Sequence, residues 1–142
     1  MVSYRHTAEG IRADQLRGFF VDWPNPPTAE THLRILEGSD VVVLALTDTP
    51  APRVVGFATA ITDGILAATI PLLEVLPDHR GRGIGRELIQ RLLARLDHLY
   101  MIDVPCDPKV VPFYTALGMT AATGACLRNY QHQAATTEGV NP

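Results

Sequence analysis

"PDHRGRGIGREL", residues 77 to 88, sets three glycines alternating with Arg82 and Ile84 just ahead of a long helical pattern. Downstream, Ile84, Leu88, Ile89, Leu92, Leu93, Leu96 and Leu99 recur at helical spacing, and Glu87 and Arg91 form an i,i+4 pair on the other face. Upstream, "LAATIPLLEVLP" (66 to 77) reads as a strand. The glycines therefore occupy a strand-to-helix junction, where a Gly-rich turn leaves backbone N–H groups free along the helix dipole. Such a turn is an anion cradle suited to phosphate. Two familiar cradles fail on spacing. The dinucleotide pattern G-x-G-x-x-G ends on Arg86 when started at Gly81 and on Leu88 when started at Gly83. The P-loop needs a lysine that is not there. A turn that serves only close helix-to-sheet packing is the alternative.

The chain has 142 residues, 46% of them apolar, which fits one domain with a packed core. No stretch approaches the ~18 apolar residues of a membrane span, and a net charge of -3 supplies no global basic field. Neither a membrane nor a nucleic-acid partner is expected. The start, "MVSYRHTAEG", lacks the apolar core of a secretory signal, and Cys106 and Cys126 are too few for a disulfide framework. A cytoplasmic location is the resulting expectation, with no metal.

Along the chain, "ADQLRGFF" (13 to 20) and "AETHLRIL" (29 to 36) have helical spacing, with Thr28 as an N-cap and "WPNPP" between them. "DVVVLALT" (40 to 47) and "RVVGFATAIT" (53 to 62) read as a β-hairpin. The strand at 66 to 77 contains Pro71, which predicts a bulge or an unpaired position. "YMIDVPC" (100 to 106) is a short strand, "DPKVVPFYTALG" (107 to 118) a helix closed by Gly118, and "MTAATGACLRNY" (119 to 130) a final strand region. Residues 1 to 130 read as one domain and 131 to 142 as a polar, disordered tail.

Arg80, Gly83 and Gly85 match Arg/Gln-x-x-Gly-x-Gly/Ala directly after a strand, which resembles the acyl-CoA-binding motif of the GNAT superfamily of N-acyltransferases. The order of elements is similar to that family over roughly residues 3 to 130. The resemblance implies an α/β (α+β) three-layer fold, with a mixed, mainly antiparallel sheet of about six to seven strands, splayed in the middle and flanked by about four helices. A second segment, "DPKVVPFYTALGM", resembles the family's later motif and places Tyr114 at the general-acid position. Asp107 stands where Asn is common, and Met119 where Phe is usual.

The resemblance implies acetyl-CoA as co-substrate, its diphosphate on the turn of Arg80, Gly81, Arg82, Gly83, Ile84, Gly85 and Arg86, with Asp107 and Phe113 nearby. The pantetheine arm would pair with the backbone of Leu73, Val75 and Leu76, and an N–H of Val75 or Leu76 would face the developing oxyanion. The implied reaction is acetyl transfer to a primary amine, of a small molecule or peptide, by direct attack on the thioester. The alternative is a non-catalytic acyl-CoA-binding or regulatory domain. A homodimer is compatible with either.

An alkyl amine with pKa ~10.4 needs a base at pH 7. Glu74, a carboxylate within the apolar "PLLEVLP", is the first candidate, unless it merely faces solvent or pairs with an arginine. Asp63, Asp103 and His79 are further candidates, and a common family site for a carboxylate is Ile102 here. Cys106 has no recognisable His base, and direct attack needs no nucleophile of its kind. Asp22 and Trp23, in "VDWPNPPT", would form an apolar wall with an acidic end for a cationic amine, or else Trp23 simply covers the core.

Overall fold

The computed structural model describes residues 1–136. Five strands, β1 (Val2–Arg5), β2 (Val41–Thr47), β3 (Arg53–Thr62), β4 (Ala67–Val75) and β5 (Met101–Asp103), form one sheet in the order β1-β2-β3-β4-β5. All neighbours are antiparallel except β4 and β5, which run parallel. Three helices accompany them: α1 (Ala29–Gly38), α2 (Ile84–Arg95) and α3 (Val111–Thr115).

Helix α1 starts where expected, the Thr28 hydroxyl accepting the Thr31 N–H at 3.1 Å, and turns His32 and Leu36 inward. Helix α2 buries Ile84, Leu88, Ile89 and Leu92 against the sheet, each full burial contributing ~1.5–3 kcal/mol. It lies close because β3 carries Gly56: a Cβ there would stand 3.0 Å from Leu88 Cδ1 and 3.2 Å from Ile84 Cγ2. Neighbouring Phe57 points to the opposite face, where its ring meets Phe19, Phe20 and His32. The result is three layers, with α2 on one face and α1 with the 13–27 segment on the other.

The fold corrects four element expectations. The sheet has five strands and the described residues three helices, rather than six to seven and four. Residues 13–20 make only a 3₁₀ turn, Ala13–Gln15, because the chain reverses at Gly18 and Phe20 so that Leu16, Phe19 and Phe20 can all reach the core. The expected helix 107–118 is a 3₁₀ turn, Pro108–Val110, followed by α3. Residues 119–129 form no strand and lie mostly exposed, since β5 offers only a three-residue ladder and no other described strand is alongside. Strand β1, which pairs Val2–Arg5 with Thr47–Leu44, escaped the sequence reading because four residues show too little alternation.

The Pro71 bulge is present. Thr59 faces Leu72 and Ile61 faces Thr69, two steps along β3 against three along β4, so one β4 residue is left over. Parallel pairing of β4 with β5 stops at Thr69 opposite Asp103, so the remainder of β4 has one edge without a described strand. Further along, Tyr130–His132 form a 3₁₀ turn, and the Gln133 side-chain Oε1 accepts the Asn25 N–H at 2.9 Å. The last six residues of the expected tail, 137–142, lie outside the described residues.

Candidate active site

After β4 the chain passes through a 3₁₀ turn, Pro77–His79, and enters the glycine run. Gly81 and Gly83 have φ of +76° and +82°, left-handed values that a side chain resists. A Cβ at either position would meet nothing within 4 Å, so packing does not explain them. Gly83 is the N-cap of α2 and carries no side-chain cap. The first bond of the helix runs from Glu87 N to Gly83 O, so the N–H groups of Ile84, Gly85 and Arg86 have no intrahelical acceptor. They sit at the positive end of a twelve-residue helix, beside Arg82 and Arg86, which are exposed and make no ion pair among the described residues.

The glycine turn is tied to the open edge of β4. Arg80 Nε donates to the Val75 carbonyl at 2.9 Å. Leu76 N–H donates to Val55 O at 2.8 Å, and its carbonyl accepts the His79 N–H at 2.9 Å. Leu76 is therefore fully engaged within the fold, a correction to its expected part as a free backbone donor. Because alternate residues of an antiparallel ladder point to opposite sides, Leu73 and Val75 turn their N–H groups to the unpaired edge. Of Val75 and Leu76, Val75 alone has its N–H on the unpaired edge.

Helix α3 closes against this corner. Phe113 lies 3.7 Å from the position of a Gly85 Cβ, as does Val75 Cγ2, so Val75, Gly85 and Phe113 share one contact. Pro112 stands in the first turn of α3, where its missing N–H has no intrahelical partner to lose. Tyr114 packs edge-on to Phe113, ring centroids 5.0 Å apart, and is only 7% exposed. Its hydroxyl makes no hydrogen bond to a described residue, yet it is not among the fully buried orphan atoms. Burial first, and the neighbouring Cys106 second, push its pKa up to about 12. Asp107 caps the preceding turn through its carbonyl, which accepts the Val110 N–H at 2.9 Å.

Glu74 lies on the other face of β4 and meets the 20–23 loop. Its Oε1 accepts the Phe20 N–H at 2.8 Å and its Oε2 the Val21 N–H at 3.2 Å. Phe20 and Asp22 are both left-handed, with φ of 62° and 66°, and Trp23 N–H closes the turn on Phe20 O at 3.2 Å. The Trp23 ring rests on Phe20, centroids 4.8 Å apart, and remains 37% exposed beside the exposed Asp22.

The further base candidates separate by environment. Asp63 Oδ1 accepts the N–H groups of Leu66, Ile65 and Ala67, which hold its carboxyl below the usual range and make it a turn former. Asp103 is exposed on β5, and Ile102 beside it is half-buried opposite Ala68. His79 leaves Nδ1 buried without a partner next to the glycine turn. Sequence reasoning passed over His32, which is 1% exposed, boxed by Phe19, Phe20 and Phe57, with both ring nitrogens unpartnered. Desolvation lowers its pKa to about 4. The available signal was its i,i+4 spacing to Leu36, which puts it on the inward face of α1.

No group of three or more His, Cys, Asp or Glu among the described residues is placed to hold a metal ion. Residues 8–119 match the model of the acetyltransferase (GNAT) family. Serotonin N-acetyltransferase 2, chloroplastic, of Oryza sativa subsp. japonica is 35% identical over 118 residues, 80% of this chain and 59% of that protein. The chain spans about three-fifths of the length of the curated relatives it matches. A crystal structure from Deinococcus radiodurans R1, of a protein described as a candidate acetyltransferase, has a TM-score of 0.90 and 51% identity, covering 94% of this chain and 92% of that one. AAC(6')-Iy in complex with the bisubstrate analogue CoA-S-monomethyl-acetylneamine has a TM-score of 0.61 at 18% identity, covering 91% of this chain and 97% of that one, a likeness of fold alone.

Proposed function

The chain belongs to the acetyltransferase (GNAT) family, and from that premise we propose that it transfers an acetyl group from acetyl-CoA to a primary amine by direct attack on the thioester. The observation that carries this reading is the start of α2: left-handed Gly81 and Gly83 with open space above them, and unpartnered N–H groups from Ile84 to Arg86. A diphosphate fits such a donor set, with Arg82 and Arg86 adding charge. The unpaired backbone of Leu73 and Val75 suits the amides of the pantetheine arm, with Phe113 and Asp107 flanking. Acetyl-CoA supplies an activated acetyl thioester. AAC(6')-Iy, which shares the fold, was solved in complex with a CoA-linked bisubstrate analogue, which supports CoA as the kind of ligand.

The amine gives up its ammonium proton to solvent water and attacks the thioester carbonyl; as the C–N bond forms, the nitrogen loses its second proton to water, the C–S bond breaks, and the departing sulfur takes up negative charge. Tyr114 is the donor to that sulfur. With its pKa at about 12, against ~8.5 for a thiol, full proton transfer runs uphill by more than three units, so Tyr114 acts by hydrogen bonding and stays protonated at any working pH. Val75 N–H faces the carbonyl oxygen. Asp22 and Trp23 receive the amine, of a small molecule or peptide, through one carboxylate and one aromatic wall. The two cysteines are unbridged and exposed.

The test is acetyl transfer to a panel of amines, serotonin and an aminoglycoside included, followed by thiol release. CoA or acetyl-CoA at ~100 times its Kd should stabilise the fold by ~2.7 kcal/mol, and NAD and ATP by much less. No acetylated amine, or an equal shift from NAD, would remove the reading.

A further inference from the structure

The carboxylate of Glu74 stands on a rigid central strand, opposite Phe57 of β3, and both of its oxygens are occupied by backbone N–H groups of one turn. That turn is not a low-energy shape for its sequence. A bulky phenylalanine at φ 62° is an outlier of backbone sterics, and Asp22 repeats the conformation two residues later. Successive N–H groups beside a left-handed residue form a concave nest that selects an anion, and here the anion is a side chain of the same protein. The far end of the loop is tied as well, by Asn25 N–H to Gln133. Asp22 and Trp23 project between the two ties, with Trp23 resting on the Phe20 ring whose own N–H is held by Glu74.

We infer that Glu74 is a positioning residue for the amine pocket: its carboxylate holds the strained 20–23 turn and so fixes where Asp22 and Trp23 meet the acceptor. The inference rests on the acetyltransferase reading for its functional half, and its structural half stands without it. It gives the one acidic side chain of "PLLEVLP" a duty other than taking a proton from the amine. Each of its two oxygens already accepts one N–H of the loop, so the carboxylate is aimed at the loop backbone.

Glu74→Gln tests it, because the amide keeps one acceptor oxygen and turns a donor toward the second N–H. Trp23 is the only tryptophan, so fluorescence reports on the loop alone. Acrylamide quenching of Trp23 should rise about twofold and hydrogen exchange at Phe20 and Val21 accelerate about tenfold, with CoA affinity unchanged. With an accepted amine, its KM should rise about tenfold while kcat stays within about threefold and keeps the acidic limb of its pH profile. Glu74→Asp retains the charge but is one methylene shorter. It should loosen the loop in the same direction, and it carries the same measurements if the Gln variant does not fold. Unchanged quenching and exchange overturn the inference without any turnover being measured, and leave the acetyltransferase reading standing. A kcat loss of ~10²-fold with disappearance of the acidic limb and an undisturbed Trp23 makes Glu74 the general base instead. Absence of acetyl transfer by the unaltered protein removes the amine from the inference, and the exchange data still decide whether Glu74 holds the loop.

Discussion

Around Gly83, the groups of the proposed anion cradle lie within Arg80 to Arg86, and their geometry comes from two left-handed glycines and an uncapped helix start. Around Trp23, the shape of the loop depends on Glu74, 54 and 53 residues from the N–H groups it accepts, and on Gln133, 108 residues from Asn25. Both regions attach to β4, one through Val75 and one through Glu74, adjacent residues whose side chains point to opposite faces. The difference is one of where the information sits. A site made of consecutive residues fails when one of them changes, whereas a loop held across the fold fails when a remote strand or the core beneath it changes.

The largest expected effect lies under the loop. His32 is sealed among Phe19, Phe20 and Phe57 and has its pKa lowered to about 4, against ~6.5 in the unfolded chain. Above pH 6.5 it is neutral in both states and costs nothing. As pH falls from 6.5 to 4 the unfolded chain binds the proton first, so stability drops by about 3 kcal/mol and then levels. Urea unfolding of the protein and of His32→Leu over this range should diverge by that amount, with the variant flatter. Parallel curves would mean that the box is wet and the loop does not rest on a dry core.

Next comes the cradle side. Tyr114→Phe keeps the ring against Phe113 and removes the hydroxyl proposed to hydrogen-bond the sulfur as it gains charge. Steady-state thiol release should show kcat falling by about 10- to 100-fold with little change in KM for acetyl-CoA. A wild-type kcat would return Tyr114 to the core, and a raised KM alone would make it a binding residue. Gly83→Val forces a β-branched side chain into φ +82° at the helix start. CoA affinity measured by calorimetry should weaken about tenfold or more, with far-UV circular dichroism unchanged. Gly85→Ala should cost far less, since its Cβ would make only ordinary contact with Phe113 and Val75 at 3.7 Å. Equal losses at Gly83 and Gly85 would make the turn a packing device.

What was legible in the sequence follows the same division. Arg80, Gly83 and Gly85 give the motif, and the Pro71 bulge follows from a missing N–H. Leu76 misled because its engagement with Val55 and His79 depends on register, which spacing alone does not set. Helix 13–20 misled because its apolar residues suit a helical stripe equally well, until Gly18 and left-handed Phe20 fold them onto Phe57. Glu74 was conspicuous as a carboxylate in an apolar run, but its partners are backbone N–H groups, which no residue type announces.

The smallest effect is the most discriminating for the loop. Asp22 is exposed, left-handed and without a hydrogen bond among the described residues. A left-handed conformation costs an L-residue ~1–2 kcal/mol, less for Asp than for most, and nothing for Gly. Glycine in turn raises the entropy of the unfolded chain by ~0.5–1 kcal/mol, so Asp22→Gly should stabilise the fold by only about 0.5 kcal/mol. Function should move the other way. If the Asp22 carboxylate meets a cationic amine beside Trp23, its loss should raise KM for that amine several-fold while CoA binding at the cradle stays the same, because the two regions share only β4. A variant that is slightly more stable yet poorer toward charged amines separates recognition from folding at this turn. Unchanged KM across cationic amines would leave Trp23, held from below by Glu74, as the acceptor's contact.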